Sequence, residues 1–497
     1  MQSRVWGWPG ALVALGAGIA VVPACGSSAR SGEDRDAGAD AGSSGSSSSS
    51  SGGSSSSSSS GASSGTGPAD ASGGGSSDAA DAAGDTGRAA AADAATAAKD
   101  ATMGGTCLGA PLLATLGKTG VMGGLSTSTD STASAAPFDI RYEYISGGLF
   151  DGTSPCASCA TGCTSSGHTC ANSAGQGGCA WWGCFQYDMD PPGDFVRGFD
   201  TTAAGASEIP MFTYYEILQT ALAAFSGFQE GQAEATQAAT SMPLMTRYFA
   251  DWRFLLQQIG QSRAILHIEP DFWGYAEQAG ASPTALPASV ASADPTDCGS
   301  MPETIAGMGK CMIAMARKYA PNAIVGLHAS AWASNVDVAL NTDASLDVAG
   351  EANKVATFLA AAGESDADVV IVEASDRDAG YYQSTGRNTW WDATNATLPD
   401  FHQDFAWVKA LTEALGKPAL YWQLPVGNAN QNNTTNHWQD NRVDYFFGHT
   451  GELAAAHVVG MAFGAGAGDQ TTPDTDGDNL VSKMNAYASA PAQPFCP

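Results

Sequence analysis

Basic residues are scarce in this 497-residue chain, with 21 Lys and Arg against 50 Asp and Glu and a formal charge of −29. Nucleic acid and anionic lipid surfaces both demand positive potential from a partner, so no nucleic-acid role is expected. A neutral polysaccharide stays compatible with such a surface. Histidine is rare too, seven in all, and His168, His437 and His449 have no mutual metal-ligand spacing. Beyond the first 22 residues no apolar run approaches the roughly 20 residues of a spanning helix. The first clear strand runs into "YEYISGGLFDG". It carries neither the GxGxxG nor the Lys-Ser/Thr of a phosphate loop, which argues against dinucleotide binding. No Gly-x-Ser-x-Gly elbow occurs in the region that reads as folded, which disfavours a serine hydrolase.

What is present falls into three parts. Residues 1–25 read as a signal peptide: Arg4, an apolar stretch to Val22, then Val22-Pro23-Ala24-Cys25. Small residues before a Cys resemble a bacterial lipoprotein processing site. Lipidation of Cys25 is expected, anchoring the protein to outer-membrane lipid at the cell envelope or outside the cell. The alternative is ordinary cleavage nearby with Cys25 lost or left free. Residues 26–104 are Ser, Gly, Ala and Asp, too polar to bury a core, and read as a tether. Residues 105–497 are long enough for one large core and are taken as a monomeric catalytic domain.

Setting Cys25 aside leaves ten of the 11 cysteines. Six lie in a short Gly/Ser/Thr-rich insertion over 152–187: Cys156, Cys159, Cys163, Cys170, Cys179 and Cys184. Disulfides are favoured over zinc there, because the compartment is oxidising and so polar a loop needs staples. Cys107, Cys298, Cys311 and Cys496 remain for pairing elsewhere, and Cys107 with Cys496 would tie the ends of the domain together.

Short apolar runs alternate with amphipathic stretches, the pattern of a parallel sheet. The strands read as Phe138–Ile145, Ile209–Ile217, Ala264–Asp271, Ala323–Ala329, Asp368–Ala374, Pro418–Pro425 and His457–Gly464. Helical stretches between them stop at "IG", "AG" and "LG". The fold class is therefore α/β: a (β/α) barrel of the TIM type, distorted or closed with seven strands. The disulfide-rich insertion follows the first of these strands. An open doubly wound sheet is the alternative.

In such a barrel the chemistry sits at the C-terminal ends of the strands. Six of the seven ends carry Glu, Gln or His: Glu143, Glu216, His267 with Glu269 and Asp271, His328, Glu373, and Gln423. By alternation Ile265, His267 and Glu269 share a face, as do Val369, Ile371 and Glu373. A carboxylate ending an apolar face is costly unless it is paired or used. The bland alternative is a solvated rim charge or a helix cap. Paired carboxylates with many aromatics suit glycoside hydrolysis, since Trp and Tyr offer flat faces to sugar rings. Trp182, Trp273, Trp332, Trp390, Trp391, Trp422 and Trp438 fall in or near the loops.

The segments "ILHIEPDFWGY" and "PNAIVGLHASAW" resemble the Glu-Pro-Asp strand and the following His/Trp strand of glycoside hydrolase family six cellulases. The similarity spans residues 209–335. It implies a sugar-handling barrel of about seven strands, with Glu269 and Asp271 in the cleft. The family's Asp-x-Pro-x-Arg-Asp-Cys segment is "TYYEILQTALA" here, and Gln423 replaces its later Asp.

Together these features predict a glycosidase acting on a polysaccharide or oligosaccharide, the alternative being a non-catalytic carbohydrate-binding lipoprotein. Glu269, Glu373 and Asp271 are the expected catalytic residues. Glu143, Glu216, Trp273, His328, Trp332, Trp422 and Gln423 are expected to contact substrate. No cofactor is expected. Asp474, Asp476 and Asp478 alternate around a Gly as calcium loops do, a candidate structural calcium site.

Overall fold

The computed structural model describes residues 107–126, 130–146, 149, 193–229, 231–466, 468–490 and 495. The expected signal peptide, Cys25, the tether and the insertion at 152–187 lie outside the described residues. So does Cys496, although Cys107 is disulfide-bonded. Cys298 pairs with Cys311. No described helix is long and apolar enough to cross a membrane.

Eight strands close into a barrel in simple sequence order, every neighbour parallel. They are β1 Met122–Ser126, β2 Ile140–Ser146, β3 Ile209–Tyr215, β4 Ile265–Ile268, β5 Ile324–Ala329, β6 Val370–Val372, β7 Ala419–Leu424 and β8 Val458–Phe463. The apolar runs of the sequence mark seven. The eighth is β1, "MGGLS", which lacks the β-branched run that marks a strand. Its glycines are steric necessities: a Cβ on Gly124 would stand 2.8 Å from Ile140 Cβ, and one on Gly123 2.5 Å from Met484 Sδ. Closure of the barrel between β8 and β2 depends on that thinness.

Strands β4 to β8 are buried on both faces, as parallel strands covered by helices must be. The covering helices are amphipathic, and Met242–Ile259 buries Leu244, Met245, Phe249, Trp252, Leu255, Leu256 and Ile259. Their ends obey local chemistry. Thr304, Asp347 and Asp400 accept the N–H of the residue three positions on at helix N-termini. Gly260, Gly363 and Gly416 end helices at positive φ, at the stops that the "IG", "AG" and "LG" pairs predict.

The barrel interior is filled rather than hollow. Near one end, Ile140 and Leu420 converge on Gly460. Toward the C-terminal ends of the strands, Tyr142, Tyr144, His267, His328 and Trp422 form a ring cluster with centroids 4.6–6.4 Å apart. That aromatic layer is the floor on which the cleft stands.

Candidate functional site

Above the floor opens a cleft of about 1250 Å³. β2 lines it with Tyr144 and Ser146, the segment after β4 with Pro270 and Asp271, and the segment after β5 with Trp332 and Asp337. Glu373 to Arg377 enter after β6, Trp422 and Gln423 from β7, and Tyr382 and Arg387 from the wall beyond.

At its base, an oxygen of Asp271, a ring nitrogen of His328 and an oxygen of Glu373 all lie within 4.8 Å of one another. His328 Nε2 stands 3.8 Å from Glu373 Oε1. The Tyr215 hydroxyl donates to Asp271 Oδ2 at 3.3 Å. Burial, reinforced by the charges of Asp376 and Asp337, pushes the Glu373 carboxyl up to about 8. A carboxyl at that value carries its proton at neutral pH.

Behind His328 runs a buried chain. His328 Nδ1 meets His267 Nε2 at 3.0 Å, and His267 Nδ1 meets Thr213 Oγ1 at 3.2 Å. Burial lowers His328 to about 4 and His267 well below its ordinary value, so both rings are neutral.

Glu269 sits elsewhere. It is fully buried and does not line the cleft. Its Oε1 accepts the backbone N–H groups of Glu216 and Ile217, both at 3.1 Å, at the N-terminus of the helix Ile217–Ala224. The alternation that put His267 and Glu269 on one face ends at Ile268, where β4 ends. Glu269 then takes φ +51° and Asp271 φ +65°. These two left-handed residues turn the Glu side chain into the wall and bring Asp271 into the cleft. Such conformations are costly for residues other than glycine and persist where surrounding structure enforces them. Burial pushes Glu269 to about 8 as well, against the opposing pull of its N–H donors and the Tyr248 hydroxyl.

The other expected residues divide. Trp332 lines the cleft, its ring 4.9 Å from Tyr275. Trp422 lies on the floor, and Gln423, at φ +55°, reaches the cleft beside it. Trp273 does not: it is buried in the core and its Nε1 donates to the Ile268 carbonyl at 2.9 Å. Glu143 alternates with the cleft-lining Tyr144, and its carboxylate accepts the Tyr144 N–H at 2.9 Å. Glu216 is buried at the helix start, behind the cleft surface. Asp476 holds the N–H groups of Asp478 at 3.0 Å and Leu480 at 2.7 Å, which caps the helix Asn479–Ser489.

Sequence reading overlooked Asp337 and Arg387. Each sits in a loop with no strand periodicity to mark it, and only its position a few residues beyond a strand-end aromatic offered a signal. Arg387 stacks 4.3 Å over the Tyr382 ring, and the Tyr382 hydroxyl donates to Asp376. A connected polar wall results on one side of the cleft.

No protein family and no curated protein matches the chain. Solved structures similar to it include a modular endo-β-1,4-mannanase of glycoside hydrolase family 26 from Cellulomonas fimi, with TM-score 0.44 and 11% identity over 78% of this chain and 76% of that one. A family 113 β-mannanase from Alicyclobacillus acidocaldarius gives TM-score 0.36 and 10% identity over 75% and 99%. An endoglucanase Cel6 from Mycobacterium tuberculosis gives 0.26 and 14% over 46% and 56%. The likeness is one of barrel architecture, at a distance from which neither substrate nor reaction follows.

Proposed function

We propose that the protein is a glycoside hydrolase whose reacting pair is Asp271 and Glu373. The observation that carries this reading is the approach of the two carboxyl groups, within 4.8 Å at the base of an aromatic-walled cleft. Carboxyl groups about 5 Å apart suit a retaining double displacement, whereas inverting pairs stand roughly 6.5–9.5 Å apart to admit a water. The cleft has room for several sugar units, and Trp332, which lines it, offers a face against which a ring can stack.

The two groups divide the labour by environment. Glu373, held protonated by burial, donates its proton to the glycosidic oxygen as the carbon–oxygen bond breaks. Asp271, steadied by the Tyr215 hydroxyl, attacks the anomeric carbon and becomes the ester of a glycosyl intermediate. The Glu373 carboxylate then takes a proton from water, whose oxygen displaces Asp271 and restores both groups. The pair expected from sequence, Glu269 with Glu373, is replaced by this one because Glu269 is spent on the helix N-terminus.

The test incubates the full chain with β- and α-glucans, xylan, mannan and bacterial polysaccharides in EDTA and measures released reducing ends. Release by wild type, abolished in Asp271→Asn and Glu373→Gln, supports the reading. Retention of substrate without release by wild type would instead make the protein a carbohydrate-binding module. Anchoring through lipidated Cys25 belongs to the same proposal, placing the enzyme on outer-membrane lipid at the cell envelope or outside the cell. Cys25→Ala should then leave the protein in the soluble fraction.

A further inference from the structure

His328 has an unused valence. It is fully buried, its Nδ1 is engaged by His267, and its Nε2 makes no hydrogen bond among the described residues. That nitrogen faces the cleft base, 3.8 Å from Glu373 Oε1. One arrangement of protons along the chain has His267 Nδ1–H donating to Thr213 Oγ1 and His328 Nδ1–H donating to His267 Nε2. It leaves His328 Nε2 with a bare lone pair 3.8 Å from Glu373 Oε1, in a group whose ligand atoms, Asp271 included, lie within 4.8 Å of one another. At 3.8 Å the Glu373 carboxyl is too far to hydrogen-bond that lone pair, and a cation that displaces the Glu373 proton would engage both groups at once.

The surroundings match those of a metal ligand. Ligating imidazoles are held by a hydrogen bond from the other ring nitrogen, which fixes both tautomer and ring angle. Here His267 performs that office and Thr213 in turn orients His267. One imidazole with two carboxylates is a borderline donor set, suited to zinc, cobalt or manganese rather than to calcium, which takes oxygen alone. Three protein ligands would leave a position open toward the cleft, as in reactive rather than purely structural sites.

We propose that Asp271, His328 and Glu373 bind one divalent transition-metal ion at the cleft base, and that the bound ion blocks glycoside cleavage by occupying both carboxylates. Ligands of a tetrahedral ion stand about 3.4 Å apart, so the present spacing must close by about an ångström. Asp271 and Glu373 are partly exposed at the cleft and can rotate inward while His328 stays fixed. Only the second half of the proposal rests on the hydrolase reading.

The experiment uses the full chain stripped with EDTA and titrated with Co²⁺ at pH 7, following visible ligand-field absorption. The strongly acidic surface will collect cations diffusely, so stoichiometry and variants decide. Expected is a band saturating at one equivalent and displaced by Zn²⁺. Asp474→Asn should keep it, and Asp271→Asn and His328→Gln should each weaken binding at least 30-fold. Circular dichroism checks folding. If buried His328→Gln fails to fold, Asp271→Asn alone decides, since that side chain lies at the cleft surface. No saturable band, or a band unchanged in Asp271→Asn, would overturn the site. Sugar release measured in EDTA and again in saturating Zn²⁺ tests the blocking: loss in Zn²⁺ supports it, and undiminished release refutes it. Tight Co²⁺ binding with no sugar released in EDTA would sink the hydrolase reading while leaving the metal site standing.

Discussion

The ends of β4 and β6 look alike in sequence and in electrostatics, yet the structure places them differently. Each closes an apolar run with a glutamate, and burial pushes Glu269 and Glu373 alike to about 8. Glu269 gives its Oε1 to two backbone N–H groups at the start of a helix and stays inside the wall. Glu373 emerges at the cleft base with Asp271 and His328. A raised carboxyl is therefore a poor guide to chemistry by itself, because the same desolvation acts on a structural cap and on the proposed proton donor. What separates them is which backbone groups the oxygens meet.

The largest expected effect breaks that comparison on the catalytic side. Asp271→Ala should lower kcat by about 10⁶-fold, the scale on which removal of a covalent nucleophile acts. Added azide should restore part of the rate and yield a glycosyl azide detectable by mass spectrometry. Product formation in wild type with inverted anomeric configuration, read by proton NMR, would contradict the retaining assignment.

The structural side should break differently. Glu269→Ala strips the acceptor from two buried N–H groups and should cost about 3 kcal/mol of stability, seen as a lower midpoint in denaturant. An unchanged midpoint would mean the helix start does not depend on Glu269.

A subtler distinction comes from pH. Both glutamates have folded values raised from 4.5 to about 8, so folding favours their protonated forms. Their contribution to stability is full below about 4.5 and is lost as pH climbs toward 8. The melting temperature should fall steadily across that window, and Glu269→Gln should flatten part of the fall. Activity measured in EDTA should decline above about 8 as Glu373 loses its proton, and Glu269→Gln should leave that limb in place.

The smallest effect concerns the walls. Trp332→Ala should raise KM about tenfold, equivalent to about 1.4 kcal/mol of lost stacking, with kcat nearly unchanged. A fall in kcat of similar size would place Trp332 in transition-state contact instead.

Much of this site could be read from the chain. Asp271, His328, Glu373, Trp332, Trp422 and Gln423 were legible because parallel strands end where polar residues interrupt apolar runs. The eighth strand was not legible, since "MGGLS" is shaped by the demand for thinness beside Ile140 rather than by strand propensity. Glu269 was misplaced because strict alternation was carried past the end of β4, through residues whose left-handed φ no composition rule announces. Glu143 shows the opposite lesson: alternation holds along β2, and it assigns the cleft to Tyr144 and Ser146. Trp273 fell into the core because it begins a helix, where its apolar ring packs inward.

The most direct test compares isosteric substitutions at the two glutamates. Sugar release by wild type, Glu373→Gln and Glu269→Gln should be measured in EDTA at pH 6, with folding of each variant checked. Glu373→Gln should lose about 10³-fold in kcat/KM, because a general acid is removed, while Glu269→Gln should stay within about tenfold of wild type. A loss of that size in Glu269→Gln with Glu373→Gln active would contradict the account at its centre.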